Sequence, residues 1–230
     1  MIVDVVIPAR DEAPSLPLVL LDLPRERLRH VVVADNGSGD DTAAIARRAG
    51  CVVVSEPRRG YGNACLAGLA HLAALTTSPD VVVFLDADRS DHAGELPVLL
   101  APIESGRADL VVGSRTLGTC ERGALLPQQR VGNWIAAAMI RRLYGARVTD
   151  LGPFRAITWD ALLRLGMADR DYGWTAEMQV KALRAGLRYE EVPVSYRRRI
   201  GRSKIAGTVR GTVGAGIKIV ATILRHASGR

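Results

Sequence analysis

Residues 81–91, Val-Val-Val-Phe-Leu-Asp-Ala-Asp-Arg-Ser-Asp, constrain the fold of this chain more than any other stretch. An apolar, largely β-branched run without polar alternation is the pattern of a strand buried on both faces, which implies a parallel sheet covered by helices. Asp86 and Asp88 follow at its carboxyl end, where open α/β sheets bind ligands. Two carboxylates so placed supply hard oxygen ligands for Mg²⁺ or Mn²⁺, and the ion can neutralise a diphosphate. A solvated strand-end turn gives the same Asp-x-Asp pattern, so its meaning depends on what precedes it.

The rest of the chain keeps a strand–helix rhythm. Ile2–Pro8 reads as a strand, and Ser15 is placed to cap a short helix. His30–Ala34 is a strand, Asp40–Arg48 a helix closed by Gly50, Cys51–Ser55 a strand, and Asn63–Leu75 an Ala/Leu-rich helix. Asp80–Leu85, a helix near Glu95–Ile103 and a strand Leu110–Gly113 continue the series. Short links between alternating elements predict an α/β fold, a mostly parallel sheet with helices on both faces. Further on, Val131–Arg142 and Trp174–Ala185 read as amphipathic helices and Tyr189–Tyr196 as a strand. No Pro/Gly/Ser linker divides the chain.

Net charge is +7, carried almost wholly by arginine; Lys181, Lys204 and Lys218 are the only lysines. Phosphorylated ligands or an anionic membrane would suit that charge. Nucleic acid is set aside, because aromatic content is only 4% and no helix-turn-helix or RNA-binding signature is present. Cys51, Cys65 and Cys120 lack metal spacing and read as free thiols in a reducing compartment. Residues 1–9 read as a strand that begins at once, without a signal peptide, and no apolar run reaches the ~18 residues of a membrane span. The expected location is cytoplasmic, with peripheral contact to the inner face of a membrane left open.

Three further motifs stand at strand ends. Asp35-Asn36-Gly37-Ser38-Gly39-Asp40 follows the second strand, with Asp40 placed to cap the next helix; Asp35 is placed to accept a hydrogen bond from a base edge. Pro8-Ala9-Arg10-Asp11-Glu12 closes the other side of that pocket. Arg58-Arg59-Gly60-Tyr61-Gly62-Asn63 is a glycine turn opening a helix, a neighbour for phosphate or ribose. A capped βα turn accounts for the Asp35 motif equally well when taken alone, and the 58–63 turn by itself is a weak signal.

In this order and spacing the chain resembles family 2 glycosyltransferases of the GT-A fold. Gly113-Ser114-Arg115, Arg130…Asn133, Thr149-Asp150-Leu151…Phe154-Arg155, Glu177-Met178, Glu191-Val192-Pro193-Val194 and Arg198…Gly201…Ser203-Lys204 narrow the likeness to the polyprenyl-phosphate (dolichyl-phosphate) mannosyl- and glucosyltransferase branch. The resemblance implies that Pro8, Ala9, Glu12 and Asp35 hold the nucleoside, with Arg10, Asn36, Gly60 and Asn63 beside them. It implies that Asp86 and Asp88 bind Mg²⁺ or Mn²⁺ and the diphosphate, and that Arg115, Arg130 and Arg198 face an acceptor phosphate. Ser203 and Lys204 would lie near the donor diphosphate. Asn36 stands where a second aspartate is usual, Ser90 where a metal-contacting Gln is common, and Asn133 where a Ser is usual. The Leu151–Phe154 stretch is one residue short.

The resulting expectation is an inverting, metal-dependent hexosyltransferase using a nucleotide-diphosphate sugar, UDP- or GDP-linked, and a polyprenyl phosphate. One domain spans 1–205, with a nucleotide-sugar half (1–115) and an acceptor half (116–205). A hydroxyl acceptor would instead need a base, for which Asp150, Asp171 and Glu177 are candidates; structural pairing with arginine is the alternative for each. A sugar-phosphate nucleotidyltransferase would want a glycine-rich loop after the first strand, which Pro8–Glu12 lacks. A catalytically silent nucleotide-sugar-binding protein would tolerate a broken Asp-x-Asp, and this one is intact. In the tail, residues 206–230, Val209, Val213, Ile217, Val220 and Leu224 recur at helical spacing beside Arg210, Lys218 and Arg225. A membrane, a partner copy or the chain's own domain could cover that helix, and homo-oligomerisation stays open.

Overall fold

A computed structural model describes residues 1–201 and 209–227. Its seven-stranded sheet comprises β1 (Val3–Ala9), β2 (His30–Asp35), β3 (Val52–Ser55), β4 (Val81–Phe84), β5 (Leu110–Ser114), β6 (Arg155–Thr158) and β7 (Tyr189–Pro193). The order is β3-β2-β1-β4-β6-β5-β7. All pairings are parallel except those of β6, which runs antiparallel to both β4 and β5.

Burial explains the runs. Val5, Val6 and Ile7 of β1 and Val81–Phe84 of β4 are closed to solvent on both faces. One face packs on α1 (Leu16–Asp22), α2 (Thr42–Arg48) and α4 (Leu96–Glu104), and the other on α3 (Tyr61–Ala73), α6 (Trp159–Leu165) and α7 (Trp174–Arg184). A third, smaller core joins α5 (Pro127–Tyr144), α7 and α8 (Val209–Ala227) around Ala136, Ile140, Val180 and Ile223.

Several expectations need correction. Ser15 makes no capping bond to α1; its hydroxyl donates to Glu12 Oε2 at 2.7 Å instead. β6 and α6 add to the predicted elements; Arg155 interrupts the apolar pattern that would mark the strand. That guanidinium is wholly buried, donating to the carbonyls of Gly152 and Thr175. Helix α5 begins earlier than expected, at Pro127, where proline's missing N–H costs nothing, and β7 stops at Pro193.

Of the three covers weighed for the tail, the described part of α8 has the chain's own domain. Ile223 is fully buried, Tyr144 Oη donates to the Ile223 carbonyl at 3.2 Å, Arg184 donates to the His226 carbonyl at 2.7 Å, and Lys218 pairs with Asp169 at 3.4 Å. Among the described residues no helix is long and apolar enough to cross a membrane. Removing a buried Ile side chain typically costs about 2–5 kcal/mol. Ile223→Ala is therefore expected to lose that much in denaturant unfolding, and Ile217→Ser, at an exposed site, close to nothing. Equal effects would mean that α8 does not pack here.

Candidate active site

The chain leaves β1 for β2 and β3 on one side, and β4 pairs with β1 on the other. The crevice at the carboxyl ends of β1 and β4 is therefore the topological switch point, where doubly wound sheets bind ligands. Pro8 and Ala9 end β1, Asp35 ends β2, Asp86 and Asp88 follow β4, and Arg115 follows β5.

A cleft of about 420 Å³ opens there, lined by Pro8, Ala9, Arg10, Glu12, Asn36, Gly60, Asp86 and Asp88 among others. Its loops are stitched together. Asp11, in the left-handed region at φ 49°, accepts the Gly39 amide on Oδ1 at 2.7 Å, and its own amide donates to Ser38 Oγ at 3.0 Å. Asp40, expected to cap the next helix, lies one residue before its N-cap Asp41, which makes no side-chain cap; the Asp40 carboxylate instead accepts the Thr42 amide at 3.0 Å. Asp35 does not line the cleft; it is buried with Oδ1 unpartnered. Asn36 lines the wall, but its amide is committed: Nδ2 donates to the carbonyls of Glu56 and Arg58 at 2.9 and 2.7 Å, and Oδ1 accepts the Gly60 amide at 2.9 Å.

The glycine turn has a packing role. A Cβ on Gly60 would meet the Arg170 carbonyl oxygen at 2.2 Å, and one on Gly62 that of Asp169 at 2.0 Å. These glycines let the 169–170 loop lie against α3. Asn63, expected beside the donor, instead bonds this loop through its backbone N–H (3.0 Å to Arg170 O), donates its side-chain amide to the Arg59 carbonyl at 3.0 Å, and faces a separate cavity.

The acidic end of β4 is the electrostatic centre. Arg89, left-handed at φ 66°, turns the chain so that the Ser90 amide and hydroxyl both donate to Asp88 Oδ1, the amide at 2.8 Å. Asp88 Oδ2 pairs with Arg199 at 3.1 Å, and Arg199 reaches Glu12 at 3.3 Å. Asp86 has a buried, unpartnered Oδ1; burial first, and then Asp88, push its carboxyl up to about 7. Asp91 is fully buried with both oxygens unpartnered, and burial, Asp86 and Asp88 push it well above the usual range. Such orphaned carboxylate oxygens suit a divalent cation. Among the described residues no three His, Cys, Asp or Glu side chains form a cage. The protein thus offers one or two carboxylates and leaves other positions to phosphate and water, a set typical of Mg²⁺.

A second cavity, about 300 Å³, shares Tyr61, Asp86, Asp88, Tyr172 and Arg199 with the first. Its lining is largely apolar, with Leu125, Ala136, Leu151, Pro153 and Ile219, and also carries Gln128, Gln129, Asn133 and Thr175. Arg115 lines its polar end, bound bidentately to Asp150 at 2.6 and 2.8 Å and stacked 5.0 Å over the Tyr196 ring. Burial opposes the Arg115 charge, but Asp150 outweighs it and raises the pKa.

Other expected residues are not brought in. Arg130 is exposed on α5 and lines neither cavity. Arg198 turns outward, donating to the Arg122 carbonyl at 2.9 Å. Glu177 is a structural partner, accepting the Asp169 amide at 2.8 Å and pairing with Lys181 at 2.7 Å. Asp150 is committed to Arg115. Ser203 and Lys204 lie outside the described residues.

Sequence reasoning missed Arg199, Asp91, Tyr61 and Tyr172. A signal existed for Arg199: in an extended Arg197-Arg198-Arg199 run alternate side chains share a side. Arg197 and Arg199 both turn inward, toward Asp22 and Asp88, and Arg198 out.

Comparison with known proteins agrees with this architecture. The family model of glycosyl transferase family 2 matches residues 4–168, and the chain belongs to that family. It is 42% identical over 213 residues to an uncharacterised glycosyltransferase of Mycobacterium tuberculosis, covering 92% of this chain and 93% of the other. It is 31% identical to an undecaprenyl-phosphate mannosyltransferase of Micrococcus luteus (90% and 88% covered) and 32% identical to a dolichyl-phosphate hexose transferase of Haloferax volcanii (87% and 85%). Glucosyl-3-phosphoglycerate synthase of Mycobacterium tuberculosis, solved with Mn²⁺, UDP and glucosyl-3-phosphoglycerate, shares the fold with a TM-score of 0.77 at 24% identity, covering 98% of this chain and 79% of that one. The fold is GT-A, and the chain is a glycosyltransferase.

A carboxyl whose folded pKa is raised stabilises the fold while it is protonated. That contribution is complete below the ordinary 3.8 and is lost as pH rises through about 7. The metal-free protein should therefore lose melting temperature between about pH 4 and 7 and no further on that account above it, and Asp86→Asn should lose less of it. Equal losses in the two proteins would show that Asp86 is not strained by burial.

Proposed function

We propose that this enzyme transfers a hexose, with inversion, from a UDP- or GDP-linked sugar to the phosphate of a polyprenyl phosphate. Asp86 and Asp88 would hold Mg²⁺ or Mn²⁺. The observation that carries the reading is the meeting of two unlike cavities at one pair of carboxylates. The polar cleft suits a nucleotide sugar, and the apolar-walled cavity suits a prenyl chain whose headgroup points at Asp86, Asp88 and Arg199. The names of the undecaprenyl-phosphate and dolichyl-phosphate relatives support the same acceptor class.

Each residue has a physical task in this reading. The ion, when bound, takes up charge on the leaving diphosphate. Ser90 orients Asp88, so the carboxylate meets its ligand without rotameric search. Asp35, at the end of β2 and outside the cleft lining as it stands, would accept on its unpartnered oxygen from a base edge that reaches past Asn36. Arg199 neutralises Asp88 and Glu12 in the donor-free protein and is free to re-pair with phosphate once a metal takes its place. Arg115, held charged and rigid by Asp150, presents a fixed positive field at the acceptor end. A phosphate nucleophile is already anionic near neutral pH and needs no strong base. Asp150 and Glu177, two of the three base candidates, are occupied in structural pairs.

A second reading rests on Asp171, which lines the donor cleft and whose carboxyl is raised by burial and by Asp169. It could serve a hydroxyl acceptor as base. Competition between matched polyprenyl phosphate and polyprenol decides between them. Transfer to the phosphate is expected; transfer to the alcohol alone, abolished by Asp171→Asn, would replace this reading with the other.

Two variants test the donor side. Asp88→Asn should remove most turnover and Mn²⁺ binding while keeping the far-UV circular dichroism of the wild type; persistent activity in excess chelator would contradict the metal role. Asp35→Ala should weaken nucleoside-diphosphate binding by about ten- to a hundredfold, the value of one charge-assisted hydrogen bond. Unchanged calorimetric affinity would remove Asp35 from the site.

A further inference from the structure

Helix α5 has an outward face that its packing does not use. Ala136, Ala137 and Ile140 turn into the small core, while the opposite side exposes Val131 (57%), Trp134 (66%) and Ile135. Leu126, the residue before the helix, is exposed too. Val131, Trp134 and Ile135 fall at i, i+3 and i+4 spacing, a single apolar stripe. The helix carries Arg130, Arg141 and Arg142 and no acidic residue at all across Pro127–Tyr144. Arg130 and Arg142 are exposed. Trp159 and Trp174, the other tryptophans of the chain, are both buried, so Trp134 alone is presented to solvent.

We propose that this face of α5 docks on an anionic lipid surface, with Val131, Trp134 and Ile135 entering the headgroup layer and Arg130 and Arg142 meeting lipid phosphates. Two observations select lipid over another occupant. First, an apolar stripe with an indole at its centre, flanked by cations and free of acidic residues, has the chemistry of an interfacial helix. Second, the same helix lines the apolar-walled cavity from its adjoining side, through Gln128, Gly132, Asn133 and Ala136. Docking here sets that cavity at the depth where a membrane-borne phosphate lies. This step rests on the polyprenyl-phosphate reading. It adds α5 to the tail as a membrane contact: Lys218 and Ile223 of α8 are engaged with the chain's own domain, while Ile217 and Leu224 stay exposed.

The test uses the full-length protein with vesicles of phosphatidylcholine alone or mixed with phosphatidylglycerol, both free of polyprenyl phosphate. Co-sedimentation with the anionic vesicles, weakened by salt, and a blue shift of tryptophan emission are expected. Trp134→Phe should abolish the shift, and Val131→Ser/Trp134→Ser should weaken binding by about tenfold or more. The doubly substituted protein should keep its wild-type rate toward a short, water-soluble prenyl phosphate. No binding, equal binding by the doubly substituted protein, or a wild-type dimer that those substitutions dissociate would overturn the proposal, the last by giving the face to a second copy. Because the vesicles hold no acceptor, binding is judged apart from transfer. Intact vesicle binding without transfer to any prenyl phosphate would overturn the acceptor assignment and leave the docking face standing.

Discussion

The pairing of β4 against β1, on the side away from β2, is the constraint on which the site depends. It opens a crevice at the carboxyl ends of the central strands and directs Pro8, Ala9, Asp86 and Asp88 into it. The antiparallel insertion of β6 between β4 and β5 then spaces Arg115 away from the donor cleft and into the neighbouring cavity. Strand order thus sets one acidic floor, over which α5 and α8 wall the second volume.

Charge balance on that floor rests on two arginines. Asp86, Asp88 and Asp91 lie within six residues of chain on a sheet end that excludes water, an arrangement that costs stability unless cations approach. Arg199 answers Asp88 and Glu12 across the cleft. Arg115 lies close enough to lower the Asp86 and Asp91 carboxyls in part while remaining fixed to Asp150. Oxygens still lack partners after these pairs are counted. A site left with unmatched negative charge is poised for a metal–diphosphate.

Much of this was legible from residues. The β-branched runs gave the parallel strands, because burial on both faces leaves no polar alternation to confuse. The strand-end motifs gave Pro8, Ala9, Arg10, Glu12, Asp86 and Asp88. Other features hid for physical reasons. β6 was masked by Arg155, whose guanidinium is buried against loop carbonyls rather than solvent. Gly60 and Gly62 looked like a phosphate turn, but the close approach that excludes a Cβ is made by the 169–170 backbone. Asp150 and Glu177 had the residue type of a base and the surroundings of structural partners, a distinction that only packing reveals. Arg198 and Arg199 differ by one position in an extended segment, which is enough to reverse the direction of a side chain.

In the proposed reaction, donor and acceptor phosphates converge on the carboxylates at the end of β4. With Mn²⁺ bound, ³¹P resonances of a nucleoside diphosphate and of a short-chain prenyl phosphate, added together, should both broaden by proximity to the paramagnetic ion, and both should sharpen again in Asp88→Asn. Broadening of the nucleoside diphosphate alone would place the acceptor elsewhere and contradict the shared floor.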